Sequence, residues 1–211
     1  MAINSDTYGK LAYEAYRFSG QHLSEYDQTK AAAHDIVLQM IADGLPLVIV
    51  MPGIIYGPND TSNLRINIVN YLKKRLPAIP ARTAYSWGYV DDVAHGHLLA
   101  MEKGKLGQCY IIAGETHILA EAFKLAKEIT GIPAPLELPV SLVKGMSAMM
   151  SIIEKIIPVP ETYTSEGLRV IAGVTYTGDN DKARIELGYS PRPFKIGWAE
   201  TLHHEMSLLG I

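Results

Sequence analysis

The chain has 211 residues, of which 48% are apolar and 19% are charged, and its net charge at pH 7 is −3. These values predict a folded globular protein with a large core, and the only basic run, Lys73-Lys74-Arg75, is too small for a nucleic-acid surface. Cys109 is the only cysteine, which excludes a disulfide framework or a cysteine-based metal site and is consistent with a reducing cytoplasm.

Residues 1–23 mix aromatic and polar side chains and sustain neither a helical nor a strand period. We predict that they form an irregular loop leading to the first helix. The N-terminus lacks the basic region and apolar run of a secretion signal, so we expect a cytoplasmic protein.

The first helix is predicted over residues 25–43. Ser24 and Asp27 have the spacing of a capping box, in which each side chain satisfies a backbone donor at the helix start. Tyr26 and Lys30 are one turn apart and share a face. A phenol, with a pKa near ~10, transfers protons poorly at neutral pH unless its anion is stabilised, which a neighbouring ammonium group does by charge. The alternative is an exposed lysine beside a half-buried tyrosine, with no chemical role.

The inner face of this helix is predicted to carry Ile36, Val37, Met40 and Ile41, with Gly44 ending the helix. Residues 47–51 then form an unbroken apolar run, which is typical of a parallel strand covered on both faces.

A turn rich in proline and glycine follows this strand and contains Pro52, Gly53, Ile54 and Ile55. Ligands of open α/β sheets bind beyond the carboxyl ends of the strands. The turn is therefore either a floor for a flat ring or a plain Pro/Gly turn.

A second helix is predicted over residues 64–75, followed by a loop over 76–85. We expect Asp91 or Asp92 to cap a third helix over residues 93–103, whose apolar set is Val93, Leu98, Leu99 and Met101. Adjacent carboxylates do not point at one substrate atom, so capping and a hydrogen bond to a loop are favoured over acid/base chemistry.

The C-terminal half is predicted to contain one buried strand within residues 107–114 and several helices. The helices are expected at 121–130, 140–157, 165–172, 180–187 and 196–209. Residues 138–160 are too interrupted by charges to span a bilayer, so no membrane partner is expected. The methionine-rich apolar face of 142–157 is core or a lid over a pocket, with a partner helix as the alternative.

Several kinds of site are unsupported. His95 and His97 point to opposite sides of a helix and His203-His204 are adjacent, so we expect no metal site. Neither a Gly-x-Ser-x-Gly elbow nor a phosphate-binding P-loop is present. A Gly-x-Gly-x-x-Gly turn, which would hold a dinucleotide pyrophosphate at a helix N-terminus, is also absent from the sequence.

Five motifs nevertheless occur in a characteristic order. They are Tyr-x-x-x-Lys, Pro-Gly-x-x-Tyr-Gly-Pro-Asn-Asp, Trp-Gly-Tyr-Val-Asp-Asp-Val-Ala, Gly-x-Leu-Gly-x-x-Tyr-Ile and Asp-x-x-Lys-Ala-x-x-x-Leu-Gly-Tyr-x-Pro, beginning at residues 26, 52, 87, 104 and 179. This order resembles the extended short-chain dehydrogenase/reductases, the NAD-dependent epimerase/dehydratase family, over nearly the whole chain. Within that family it resembles the dihydroflavonol-reductase-like and hopanoid-associated sugar-epimerase-like branch.

The resemblance implies an α/β fold, namely the C-terminal half of a Rossmann-type parallel sheet with a mostly helical substrate domain. It assigns residues 1–55 and 88–115 to a partial NAD(P)-binding domain, and residues 56–87 and 116–211 to substrate binding. It also implies NAD or NADP as cofactor and a small-molecule substrate, either a sugar nucleotide or a small ketone.

Site residues are carried over by position. Tyr26 matches the catalytic acid/base, and Lys30 matches the residue that holds the nicotinamide ribose and supports the tyrosine anion. Pro52, Gly53, Ile54 and Ile55 match the turn beside the nicotinamide. The implied reaction is hydride transfer between nicotinamide and a carbinol or carbonyl carbon, with Tyr26 moving the proton at the same oxygen.

The sequence departs from the family pattern at its start. We expect an N-terminally truncated polypeptide that binds dinucleotide weakly alone, because it lacks the glycine-rich turn. The family's catalytic Ser or Thr falls just before Met1; Ser5 and Thr7 lie nearby, and neither is assigned this role. A homodimer would cover the strand edges that such a chain exposes. The competing hypothesis is a non-catalytic interaction protein that uses the face of residues 142–157.

Overall fold

The structure, a computed structural model, describes residues 6–159 and 164–211 as an α/β fold. The helices within these residues are α1 (Glu25–Ala42), α2 (Asn63–Leu72), α3 (Val90–Lys103), α4 (Leu119–Thr130), α5 (Val140–Ile153), α6 (Ser165–Arg169), α7 (Asp181–Leu187) and α8 (Phe194–Leu209). The strands are β1 (Ile49–Pro52), β2 (Ile54–Tyr56), β3 (Ala78–Pro80), β4 (Ala84–Tyr89), β5 (Cys109–Ile112), β6 (Thr116–Ile118), β7 (Leu136–Leu138) and β8 (Thr175–Tyr176).

A parallel pair of strands, β1 and β5, carries the Rossmann-type part of the fold. Ile49 lies opposite Cys109, and Pro52 lies opposite Ile112. Side chains of α1 and of the N-terminal segment pack on one face of the pair, and side chains of α3 and α7 pack on the other. This arrangement confirms β5 as a buried strand, because both faces are covered by other elements. The strand predicted over residues 47–51 begins only at Ile49, and Met51 alone is fully buried in it.

A second sheet begins directly after β1. Strand β2 pairs in parallel with β4, which also pairs with β6 and β8. Helices α2, α4 and α8 cover this sheet through an aromatic core, in which the Tyr56 ring lies 5.7 Å from the Trp87 ring and 5.8 Å from the Trp198 ring, centroid to centroid. The remaining strands, β3 and β7, form a separate parallel pair.

Helix α1 has the predicted bounds to within one residue but buries a different face. Ile36 and Met40, which were expected to point inward, are exposed. The inward stripe consists of Asp27, Ala31, His34, Leu38 and Ile41, at spacings of three and four. The prediction was wrong for Ile36 and Met40, whereas Ile41 lies in the inward stripe. Apolar residues lie on both sides of the helix, so their spacing alone does not select the face that Asp27 and His34 line.

Helix α3 begins three residues earlier than predicted. Neither Asp91 nor Asp92 is the cap, because both lie in the first turn and the N-cap residue is Tyr89. Asp92 instead binds Arg192, whose backbone N–H and guanidinium group donate to its carboxylate over 2.9–3.1 Å. The predicted hydrogen bond to a loop is therefore present, without the capping role.

Three further expectations changed. Leu98 and Met101 of α3 are exposed rather than part of the apolar core. The apolar face of residues 142–157 is split, since Val143 is buried whereas Leu142 and Met149 are exposed on another side of α5. Strand β3 also lies in the segment predicted as a loop.

Candidate active site

The start of α1 is fixed by its own cap and by the C-terminal part of the chain. The Asp27 backbone N–H donates to the Ser24 hydroxyl over 3.0 Å, which is half of the predicted capping box. The Asp27 side chain, only 4% exposed, instead accepts a hydrogen bond from the Tyr176 hydroxyl over 3.4 Å. Arg169 adds a bond from Nε to the Leu23 carbonyl oxygen over 2.7 Å. Helix α1 is thereby tied to α6 and β8.

Burial dominates the electrostatics of this contact. It raises the pKa of Asp27, although the hydrogen bonds with Ser24 and Tyr176 oppose the shift. Burial and the neighbouring Asp27 charge likewise raise the pKa of Tyr176. Tyr176 therefore stays protonated and donates to the carboxylate. Sequence reasoning missed this pair, and the only signal was the position of Asp27 in a capping pattern.

Tyr26 and Lys30 lie together on the outward face of α1, as their spacing predicts. The Lys30 ammonium nitrogen is 5.7 Å from the centre of the Tyr26 ring, within the range of a cation–π contact. Tyr26 is 61% exposed. Among residues 6–159 and 164–211, neither the Tyr26 hydroxyl nor the Lys30 ammonium group has a hydrogen-bond or ion-pair partner. Both polar groups are thus free to meet a ligand.

The turn after β1 lies at the carboxyl end of the parallel pair. Pro52 ends β1, Gly53 donates to the Ile112 carbonyl oxygen over 3.2 Å, and Ile54 and Ile55 begin β2. A Cβ on Gly53 would overlap the Ser86 carbonyl oxygen and lie 2.9 Å from the Ala113 Cβ. Only glycine fits this close approach of β1, β4 and β5. Ile55 remains 39% exposed and offers an apolar surface at the strand end.

The donor chemistry of these residues fits one side of a nicotinamide riboside. The ammonium group of Lys30 can donate to ribose hydroxyls, and Ile55 can contact a flat ring. The described contacts of Gly53 run to β4 and β5 rather than to α1.

A cleft of about 100 Å³ lies beside α1 and shares its wall with β1. It is lined by Tyr16, Arg17, His22, His34 and Met51, among other residues, but neither Tyr26 nor Lys30 lines it. A second cleft, of about 250 Å³, lies beyond the carboxyl end of β5 between Gly114 and Pro193. The structure therefore does not bring the Tyr26/Lys30 pair into either cleft.

Thr7 is not free to act on a ligand. Its buried hydroxyl lies 2.9 Å from the hydroxyls of both Thr175 and Thr177, and donates to the Thr175 carbonyl oxygen over 3.0 Å. Ser5 lies outside the described residues. Thr7 thus anchors the N-terminal segment to β8.

Two structural features are absent from the described part of the chain. No group of three or more His, Cys, Asp or Glu side chains is placed there to hold a metal ion. No helix within it combines the length and apolar character needed to cross a bilayer.

Comparison with known proteins identifies the class. Residues 4–113 match the NAD dependent epimerase/dehydratase family, and the chain belongs to this family. The family description names NAD as cofactor, which confirms the expected cofactor class. The comparisons also confirm the resemblance to short-chain dehydrogenase/reductases and the Rossmann-type fold.

The individual relatives are distant from this chain in sequence. The chain is 26% identical to sterol demethylase protein B of Methylococcus capsulatus over 95% of its own length and 64% of that protein. It is 29% identical to a 4-hydroxy-2-methyl-3-oxo-4-farnesyl-3,4-dihydroquinoline-1-oxide ketoreductase of Stigmatella aurantiaca, over 85% of its length and 55% of the relative. The chain therefore spans less than two thirds of these curated relatives.

Solved structures give the same picture of the fold. The crystal structure of gox2253 superposes with a TM-score of 0.80 at 29% identity, covering 99% of this chain and 64% of that one. A nucleoside-diphosphate-sugar epimerase from Pseudomonas aeruginosa superposes with a TM-score of 0.78 at 22% identity, with the same coverage. At the lower identity the likeness concerns the fold alone.

Proposed function

We propose that the protein is an NAD(P)-dependent oxidoreductase or epimerase that acts on a carbinol or carbonyl carbon, with Tyr26 as acid/base and Lys30 as its charged partner. The observation that carries the proposal is the exposed Tyr26/Lys30 pair, whose polar groups are free among the described residues. In a member of this family, a free phenol beside a free ammonium group is suited to proton transfer and to ribose binding.

The bound nicotinamide ring would supply or accept the hydride. Tyr26 would donate its proton to the oxygen of a carbonyl being reduced, or accept the proton of a carbinol being oxidised. Lys30 would hold ribose hydroxyls and stabilise the phenolate by charge. Pro52, Gly53, Ile54 and Ile55 would form the surface beside the ring. Asp27 and Tyr176 would hold the start of α1 in place.

For the substrate we favour a small, largely apolar ketone or its carbinol over a sugar nucleotide. Two of the curated relatives are named for a sterol and for a farnesylated quinoline, and the second is a ketoreductase. The sugar-nucleotide enzymes that superpose on the chain do so at 16–22% identity, which supports the fold and not the substrate. We place the protein in the cytoplasm, since its one cysteine is buried and unpaired.

The test is Tyr26→Phe in a version of the protein that carries a complete dinucleotide site. We expect kcat to fall by about 10³-fold, the scale of general acid/base catalysis, with little change in thermal stability because the side chain is exposed. Oxidation of NADH or NADPH in the presence of cyclic ketones gives the rate. Lys30→Met should raise the KM for cofactor and lower kcat.

The matched controls are Tyr13→Phe and Lys195→Met, which alter an exposed tyrosine and an exposed lysine elsewhere. Both should retain the parent kinetics. Wild-type turnover in Tyr26→Phe would refute the proposed mechanism.

A further inference from the structure

Helix α5 is apolar on two opposite sides. Val143 and Ser147 are buried on the side that faces α6, where Leu168 and Ala172 complete a small core. On the other side, exposed positions recur every three or four residues along the helix and into the turn after it. These positions are Leu142, Gly145, Met149, Ile152 and Ile156, which we call the α5 stripe.

The exposure of the stripe is large for apolar side chains. Ile152 is 64% exposed and Ile156 is 77% exposed. The neighbouring Ile157 is exposed too, and because adjacent residues point in different directions, the apolar surface here is wider than the seam of a helix pair. Contiguous apolar surfaces of this kind mark places where a protein meets a partner or a membrane.

The outward charges of residues 140–159 have one sign. Lys144 and Lys155 are exposed, and no described residue makes an ion pair or hydrogen bond with either ammonium group. The only carboxylate of residues 140–159, that of Glu154, accepts two hydrogen bonds from Ser165, to Oε2 and Oε1, each over 2.7 Å. Glu154 is therefore directed toward α6, and the outward surface presents positive charge around an apolar centre.

We propose that the α5 stripe and its two lysines dock on the surface of an anionic lipid membrane. The apolar side chains would enter the interface, and the long lysine side chains would reach the phosphate level. A second copy of the chain fits less well, since a self-complementary contact would bring the lysines of both copies together, and residues 140–159 offer no outward acid to pair with them. An apolar surface wider than the seam of a helix pair also suits a bilayer better than a single partner helix.

Docking in the membrane interface revises the expectation of no membrane partner. That expectation rested on the absence of a spanning segment, and a helix that lies in the interface needs none. A cytoplasmic protein would meet the anionic leaflet that such a surface requires. The inference goes beyond the proposed function and stands on different residues.

The test uses the 211-residue chain and two kinds of vesicle. One kind is phosphatidylcholine alone, and the other contains about 30 mol% of the anionic lipid phosphatidylglycerol. We expect co-sedimentation with the anionic vesicles that weakens in salt. Ile152→Ser combined with Ile156→Ser should lower the partition coefficient at least about tenfold, because two side chains lose their burial in the interface. Lys144→Gln combined with Lys155→Gln should abolish the preference for anionic vesicles.

The control variant is Ile185→Ser, which removes an isoleucine of α7 that is 82% exposed and lies outside the stripe. It should bind as the parent does, and all variants should melt at the parent temperature. Three results would overturn the inference: no binding to anionic vesicles, unchanged binding of the Ile152/Ile156 variant, or a parent dimer in sedimentation analysis that the same variant dissociates.

Discussion

At the scale of single residues, the inward face of α1 carries an unusual titratable group. His34 is buried and lines the cleft beside α1 together with Arg17 and Met51, and burial, assisted by the Arg17 charge, lowers the pKa of its imidazole. The folded state therefore holds His34 neutral at a pH where the unfolded chain binds a proton. Neutral His34 contributes stability above the ordinary histidine pKa near ~6.5, and this contribution is lost as the pH falls below that value.

We predict that replacing His34 by Gln removes part of the pH dependence of stability. The free energy of unfolding of the parent should fall more steeply than that of His34→Gln when the pH is lowered from about 7.5 to about 5.5, a window that spans the unfolded histidine pKa. Urea titrations at several pH values measure the difference. His95→Gln is the control, because that side chain is exposed on α3. Parallel curves for the parent and His34→Gln would contradict the prediction.

Some contacts of the candidate site were predictable from the sequence, and others were not. The i, i+4 spacing of Tyr26 and Lys30 was enough to bring them together, since a helix fixes that geometry locally. The Asp27–Tyr176 contact joins residues 149 positions apart, so no local pattern contained it. Such contacts depend on how elements pack.

At the scale of elements, the clearest test concerns two glycines with opposite roles. Gly53 joins β1 to β2 where the Ser86 carbonyl oxygen and the Ala113 side chain leave no room for a Cβ. Gly145 lies in the middle of α5, and a Cβ there would meet no atom within 4 Å. The same substitution should therefore have opposite effects at the two positions.

We predict that Gly53→Ala lowers the free energy of unfolding by about 3 kcal/mol, because backbone atoms of β4 must move to admit the methyl group. Gly145→Ala should raise it by about 0.5–1 kcal/mol, since alanine is the better helix former. Chemical denaturation of both variants measures the change. A loss of stability in Gly145→Ala would contradict the open space at that position. No loss of stability in Gly53→Ala would contradict the close approach of β4 to Gly53.

Elements with a strong period or a clear end were predictable from sequence. The bounds of α1, α4 and β5 agree with the prediction to within about two residues, and Gly131 follows α4 in the left-handed conformation that glycine favours at a helix end. Strand β3 was missed because it has three residues and includes Pro80. Its strand geometry comes from pairing with β7 rather than from its own residues.

At the scale of the whole molecule, the order of the motifs identified the family, but the contacts that join distant segments were not predictable. Arg192 illustrates this. Its guanidinium group binds Asp92, which lies 100 residues away in the sequence. The same group binds Glu200 over 2.8 Å and lies 3.9 Å above the centre of the Tyr89 ring. The sequence contained the Asp-Asp pair and the Pro-Arg-Pro segment as separate features, and only the packing of α3 against the segment before α8 brings them together.

The spacing of the glycines along the whole chain also affects how tightly it can bind a dinucleotide. A Rossmann-type enzyme holds the pyrophosphate by the backbone N–H groups of a glycine-rich turn at a helix N-terminus. None of the 18 glycines of this sequence has that spacing. Under the proposed function, NAD would be held by the side chains proposed to lie beside its nicotinamide half, chiefly Lys30 and Ile55, and these offer few contacts for a large, flexible ligand.

We therefore predict that the 211-residue chain binds NAD with a Kd weaker than about 1 mM, which corresponds to less than about 4 kcal/mol of binding free energy. Titration calorimetry with NAD and NADH measures it, and a family member that carries the glycine-rich turn, titrated under the same conditions, is the control. A micromolar Kd would contradict the prediction, because these residues would then have to hold the pyrophosphate without the turn. Such a result would leave the role of Tyr26 open to its own test, since proton transfer at the substrate oxygen does not depend on where the pyrophosphate is held.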